Sequence, residues 1–531
     1  TSIPLDKVKV YEVKISAYST QNQIQKAIDT GLIALKLLGV SLPKQPSKID
    51  ILLYLLETKL ALLGKRIEDL IDLPQMSDKT ALAIMRILSA ITAAAYFATP
   101  NLLPIVIFKG VNLSIKYGNT DLSAMTYASY GLILCGRLGN IRTGSGFGNL
   151  ALDLLDRFNA QKIRPKVTYI VNAFVKHWHS HVRQTLPSLL ESYFSAIEIG
   201  DLQYASYCGF NHCFYFYYVG NELGFVSQEI AKFNEFIHKF KQKLYYESIL
   251  ITWQTVLNLM GYSDCPYRLV GQVYNEEETS LSQLEAKNNQ NMIFQLYFDK
   301  LMLCYLFEKY QLALEYAAIA EKYLDGLVGT LCVPAYHFYS SLIQLAIYTN
   351  ASKVEQKRLY RKMQASQNKI KKWAHHAPMN HLNKFFLIEA ERYRILGREI
   401  KAADCYDKAI ALAQENKYIH EEALAYELAA RFYLDAGKTT IAEAYMQNAR
   451  YCYLIWGAAA KVKYLDEKYP QLLNRKLEAT TPIISTITSL TKSSNALDFD
   501  TVMKALQTIS SEIMLDSLLV KLMKIVIENA G

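Results

Sequence analysis

Turn-forming residues are scarce. Glycine and proline number 23 and 13 in 531 residues, too few for a many-stranded β protein of this length and in keeping with long helices. The eight cysteines include no CxxC pair, and the closest two are Cys208 and Cys213. No zinc site or disulfide framework is read from that spacing, and buried thiols in a reducing cytoplasm are expected. Catalytic signatures are missing as well. There is no HRD, DFG, GxSxG or HExxH string, so neither kinase, hydrolase nor metalloprotease chemistry is expected of this stretch. The start at Thr1 shows no signal-peptide pattern and the chain closes on an apolar helical pattern. Both ends are expected to be cuts from a longer protein.

A long uncharged run does occur, from Ile87 to Phe108, but Pro100, Asn101 and Pro104 interrupt it. Two buried helices and a turn are expected there, with no membrane span. Half of the residues are hydrophobic and a fifth are charged, which excludes wholesale disorder. The net charge of +9 is mild for this length. Its densest patch is Lys353, Lys357, Arg358, Arg361, Lys362, Lys369, Lys371 and Lys372. A solvated helix face is the favoured reading, which disfavours nucleic acid as a partner. Tyrosine is abundant at 38 and suits helix interfaces, giving buried area with a polar tip.

Internal repetition decides the fold class. Phe386, Ala390, Tyr393, Gly397, Ala402, Tyr406 and Ala409 recur 40 residues on as Tyr426, Ala430, Tyr433, Gly437, Ala442, Met446 and Ala449. Small residues on one helix admit large ones from its antiparallel neighbour, and Gly ends the first helix in a left-handed conformation. Each hairpin leaves an apolar face for the next to cover. Weaker copies are read at Tyr11, Tyr18, Ala27 and Ala34, at Gly200 before Ala205, and at Ala313 and Ala320. The expected fold is all-α: an irregular tetratricopeptide-like superhelix of antiparallel helix pairs over 1–470. A linker is expected over 471–499 and a helical signalling segment over 500–531. Two apolar stripes, Val502 to Ile513 and Leu518 to Val526, mark that last segment.

Three patterns imitate chemistry. Gly437-Lys438-Thr439 resembles the end of a phosphate-binding loop, but Phe432 stands where the motif needs glycine. Gly144, Gly146 and Gly148 lack dinucleotide-loop spacing, and are expected to let two helices approach closely. His177 and His181 would share a face if helical, yet no acidic third ligand is near, so a structural role is expected. The same holds for His375, His376 and His381 around Pro378. No cofactor or metal site is read.

Specific strings carry a resemblance. They are Lys372-Trp373-Ala374-His375-His376-Ala377-Pro378-Met379-Asn380, Tyr130-Gly131-Leu132-Ile133-Leu134-Cys135-Gly136, Lys300-Leu301-Met302-Leu303-Cys304-Tyr305-Leu306-Phe307 and the ending Lys521 to Gly531. Together they resemble the large multi-domain sensor kinases typical of cyanobacteria. That family runs from a serine/threonine kinase through a signalling ATPase and helical repeats to a GAF domain and a histidine kinase. The resemblance implies that this chain is the repeat region plus a linker and the start of a truncated GAF domain. It implies kinase activity for the parent protein and none for this stretch.

The leading expectation is a regulatory interaction module that senses an unknown protein or small-molecule inducer and couples it to flanking ATPase, kinase and GAF domains. That inference rests partly on analogy. A passive spacer and a nucleic-acid-binding repeat are the alternatives. In the tetratricopeptide register, Lys384, Glu391, Arg394, Glu427 and Arg431 fall on first-helix positions lining the concave face, and are the candidate partner contacts. The segment from Ala479 to Asp500 has few apolar anchors at helical spacing. Limited proteolysis should therefore cut first between those residues and release a stable N-terminal product; cuts scattered through the repeats instead would refute the division.

Overall fold

A computed structural model describes residues 4–21, 23–240, 246–278, 281–286 and 290–473. They belong to a compact unit, Thr1–Asn474. A second unit, Arg475–Gly531, lies outside the described residues, and with it most of the expected linker, both apolar stripes beyond it and the proposed start of a GAF domain.

Among the described residues the fold is all-α, with no strand and two isolated β-bridges. The N-terminal part comprises α1 (Pro4–Thr20), α2 (Ile24–Leu37), α3 (Lys48–Ala61), α4 (Lys79–Ala98), α5 (Leu102–Tyr117), α6 (Asp121–Gly136), α7 (Ile141–Arg157) and α8 (Arg164–Phe174). The middle holds α9 (Leu186–Glu198), α10 (Leu202–Tyr218), α11 (Leu223–Lys239), α12 (Tyr246–Met260), α13 (Leu281–Ala286), α14 (Gln290–Leu306) and α15 (Tyr310–Glu321). The C-terminal part holds α16 (Cys332–Tyr348), α17 (Lys353–His376), α18 (Pro378–Ile395), α19 (Glu399–Glu415), α20 (Ile419–Asp435), α21 (Thr439–Trp456), α22 (Ala459–Lys468) and α23 (Pro470–Leu473). Neighbours in sequence pack as pairs, most extensively α20 with α21, α6 with α7 and α18 with α19. The array is tetratricopeptide-like and irregular.

Local chemistry sets the helix ends. Ser47 and Ser352 open α3 and α17 with capping boxes closed by Asp50 and Glu355. Gly397 and Gly437 take φ of 65° and 72° at the tips of the repeated hairpins, where an L side chain would be strained. Ala402, Ala409, Ala442 and Ala449 are buried, as the 40-residue register requires. Ala313 and Ala320 are buried in the same way on α15.

The uncharged run becomes α4 and α5, separated at Thr99–Asn101. Among the described residues α4 alone is long and apolar enough to cross a membrane, and half of its most apolar stretch is buried in helix contacts. The glycine cluster serves close packing. A Cβ on Gly144 would lie 2.8 Å from the Gly131 carbonyl oxygen and 2.4 Å from the Cys135 Sγ, so α6 and α7 cross at a distance only glycine permits. The linker expectation needs one adjustment. Residues 470–473 form the last described turn of helix, and Leu472 is buried against the repeat.

Overpacking a full helix contact costs about 1–3 kcal/mol. Ala409→Leu should therefore lower the thermal midpoint with helicity retained below the transition, whereas an unchanged midpoint would put the repeat register in error.

Candidate functional site

The five expected groove residues point to the inner side of α18 and α20, and the protein covers them itself. Lys384 Nζ donates to Glu421 Oε2 and to the Asn380 carbonyl, both at 2.8 Å. It lies over the rings of Tyr418 and Tyr218, at 4.5 and 5.7 Å from their centroids. Glu391 accepts from Arg394 at 2.7 and 3.0 Å and from the Tyr406 hydroxyl. Glu427 accepts from Lys461 at 2.9 Å and from Tyr453 at 2.9 Å. Lys461 also donates to the Leu306 carbonyl. Arg431 donates to the Tyr310 hydroxyl at 2.7 Å and faces Glu308 at 3.8 Å, while Lys468 reaches Glu308 at 2.5 Å.

These contacts correct the expectation of an open row of partner contacts. Lys384, Glu391 and Glu427 are at most 4% exposed. Arg394 and Arg431 keep about a quarter of their side chains exposed but are held in ion pairs. The side chains turn toward neighbouring helices and are not open to solvent. What the register could not show is that α10, the α14–α15 turn and α22 fill the space in front of that face. Charge survives there because every inward charge meets an opposite one. Burial lowers the affinity of Lys384 and Lys461 for a proton, opposed by Glu421 and Glu427 respectively. Burial raises the Glu391 carboxyl, and Arg394, the Tyr406 hydroxyl and Arg431 together more than reverse that.

A second cover comes from the segment before α9. It forms two 3-10 turns, Lys176–Trp178 and Val182–Thr185, so the condition for His177 and His181 to share a helix face is not met. His177 Nε2 meets the Gly329 carbonyl at 2.8 Å and His181 Nε2 the Asn416 carbonyl at 3.0 Å. The His181 ring stacks on Tyr418. Arg183 donates to the carbonyls of Val219 and Lys417 and to Asn221 Oδ1, at 2.6–2.8 Å. Asn380 donates to the carbonyls of His177 and Ser180, and its Oδ1 accepts from Val182 N and the Tyr418 hydroxyl. Trp373 packs between Trp178, His337 and His381. The Lys372–Asn380 string is thus a structural joint between segments some 200 residues apart. Sequence reasoning missed Glu421, Tyr418, Lys461, Glu308 and Arg183 because their roles depend on those distant neighbours.

The chemistry of this seam is that of a tie. Burial pushes the thiols of Cys135, Cys304, Cys332 and Cys452 up to about 12, so they are inert at neutral pH. Burial lowers His177 to about 3, which keeps it neutral. Among the described residues no three His, Cys, Asp or Glu side chains come together to hold a metal. One carboxyl stands apart from the paired charges. Asp299 on α14 is fully buried, accepts from Gln295 at 2.9 Å, and is pushed up to about 7 by burial, which hydrogen bonds from Gln295 and Thr255 only partly offset.

The fold and the covered seam define an all-helical repeat scaffold held closed by buried ion pairs. No protein-family model matches the chain. It is 20% identical over 510 aligned residues to hybrid signal transduction histidine kinase G of Dictyostelium discoideum. That alignment covers 73% of this chain and 14% of the kinase, so the chain spans about a seventh of its relative. Among solved structures, a circular tandem repeat protein with novel repeat topology and enhanced subunit contact surfaces aligns over 89% of this chain and 95% of its own. Its identity is 10% and its TM-score 0.12, too low to carry an argument.

Two outcomes test the seam. Lys461→Met strands the buried Glu427 charge and should cost about 3–5 kcal/mol in urea unfolding, while Lys461→Met/Glu427→Leu should recover much of it. The Asp299 carboxyl holds its proton in the folded state up to about pH 7 and loses it near pH 4 when unfolded. Its contribution is therefore present below pH 4 and falls by about 1.4 kcal/mol per pH unit as pH rises from 4 to 7. Asp299→Asn should remove that slope and stabilise the protein at pH 8; parallel pH profiles for variant and wild type would refute the assignment.

Proposed function

We propose that this chain is a non-catalytic regulatory and protein-interaction scaffold within a multi-domain signal-transduction kinase, coupling an unidentified partner or inducer to flanking kinase and ATPase domains. The observation that carries the reading is the similarity to a hybrid signal transduction histidine kinase over 73% of this chain. The fold supports it, since helical repeats present surfaces rather than reaction centres. Because the inner face is occupied by the protein's own side chains, a partner would act on outer faces or by shifting the seam. In this reading the Arg183 clamp, which joins α10 to the α19–α20 turn, is the element through which such a shift would pass.

The alternative is a passive spacer that holds domains apart. The two differ in what a local loosening does. Arg183→Ala, made in the full-length gene product that carries this chain, should change the autophosphorylation rate without changing ATP affinity or helicity. An unchanged rate would leave the spacer. Nucleic-acid binding draws support only from α17, whose Lys353, Lys357, Arg358, Arg361, Lys371 and Lys372 are exposed. Tyr360 and Trp373 on that helix are half-buried against neighbours, which reduces the ring surface open to bases.

A further inference from the structure

The helix α3 is apolar on two opposite sides. One side packs on α5 through Leu55 and Thr58, both buried, flanked by the half-buried Ile51 and Tyr54 and by Leu62 at the helix C-cap. The other side carries Ile49, Leu52, Leu53, Leu56 and Leu60, and Leu63 continues it in the turn just past the helix end; all six keep between 47% and 77% of their surface exposed. At 100° per residue the two sets lie about 150° apart on the helix. A surface helix normally has one apolar stripe; one that is apolar on both sides is covered on both. The exposed helical positions 49, 53, 56 and 60 are spaced 4, 3, 4, the spacing of a two-helix coiled-coil seam.

The charges beside the seam select its partner. Asp50 and Glu57 border one edge and Lys48 and Lys59 the other. Glu57 and Lys59 make no ion pair among the described residues and are exposed. If two copies of the helix pack face to face and parallel, two-fold symmetry sets the acidic edge of each against the basic edge of the other. If they pack antiparallel, the same symmetry sets acid against acid and base against base. An anionic lipid surface fits poorly, since one edge would be repelled. Six side chains with roughly 100 Å² of apolar surface each would bury on the order of 1,200 Å² over two copies, the lower edge of the range for a specific interface.

We propose that the outer face of α3 is a dimerisation surface, on which α3 of a second copy of this chain packs in parallel. The pairing leaves the covered inner seam untouched, because α3 contacts the rest of the protein mainly through α5. It would place two scaffolds side by side with their N-terminal ends together.

Sedimentation velocity of the 531-residue chain at tens of micromolar should give twice the 60.5 kDa chain mass. Leu53→Glu/Leu60→Glu should give a monomer with an unchanged far-ultraviolet spectrum, since both positions are exposed. Ile49→Cys should form a disulfide-linked dimer under mild oxidation, because only parallel pairing brings residue 49 opposite itself; the wild-type chain is the control for its own cysteines. Lys59→Glu should weaken the dimer several-fold, and Glu57→Lys/Lys59→Glu should restore it. A monomeric wild type overturns the proposal and leaves the face to another partner. A dimer that survives Leu53→Glu/Leu60→Glu places the interface elsewhere. A dimer without the Ile49→Cys cross-link is not parallel, and overturns the proposal as well.

Discussion

A charge removed from water must be met by an opposite charge or by several hydrogen bonds, and the inner face of the last repeats depends on that constraint. The tetratricopeptide register aims Lys384, Glu391, Glu427 and Arg431 inward. Once α10, the α14–α15 turn and α22 close over them, each is admissible only because Glu421, Arg394, Lys461 and Glu308 arrive opposite. The net stability of such pairs is modest, since desolvation offsets most of the attraction. Their value lies in geometry. A shifted closure would leave lone buried charges, so the paired arrangement is set apart from its near alternatives.

The same logic explains where the resemblance strings lie. Trp373, Pro378 and Asn380 form a joint: Pro378 opens α18, Trp373 fills an aromatic pocket, and Asn380 bonds to the 176–185 segment on several sides. Gly131 sits where α6 meets α7. The string from Lys300 to Phe307 covers the end of α14 and the first residue beyond it, and all of it but Lys300 is buried. At these three strings residue identity follows from packing between segments of the described fold. Burial holds the Cys135 and Cys304 thiols within them in their neutral forms.

Much of the fold was legible in the sequence. The Gly and Ala marks at a spacing of 40 report contacts within one hairpin, and such contacts are local in the chain. The interrupted apolar run and the glycine cluster were legible for the same reason. The candidate site was legible in direction only. A row of alternating charges at first-helix positions reads identically whether water or another helix stands in front of it. The structural role expected of His177 and His181 agrees with their carbonyl contacts, although the shared face that i, i+4 spacing gives on an α-helix does not form because this segment makes 3-10 turns.

The sequence by itself determined that the chain is helical, that its helices pair, where the hairpins of the last repeats turn and which faces look inward. Each of these follows from side-chain size, backbone freedom and periodicity within a few turns. Tertiary structure alone decided that the inner face is filled, that Lys384 belongs to Glu421 and Lys461 to Glu427, and that α3 keeps an apolar face with nothing of its own unit upon it. Those outcomes depend on which segments meet after some 40 to 200 intervening residues. Helix periodicity fixes a side chain's direction, but only the folded chain supplies what it meets.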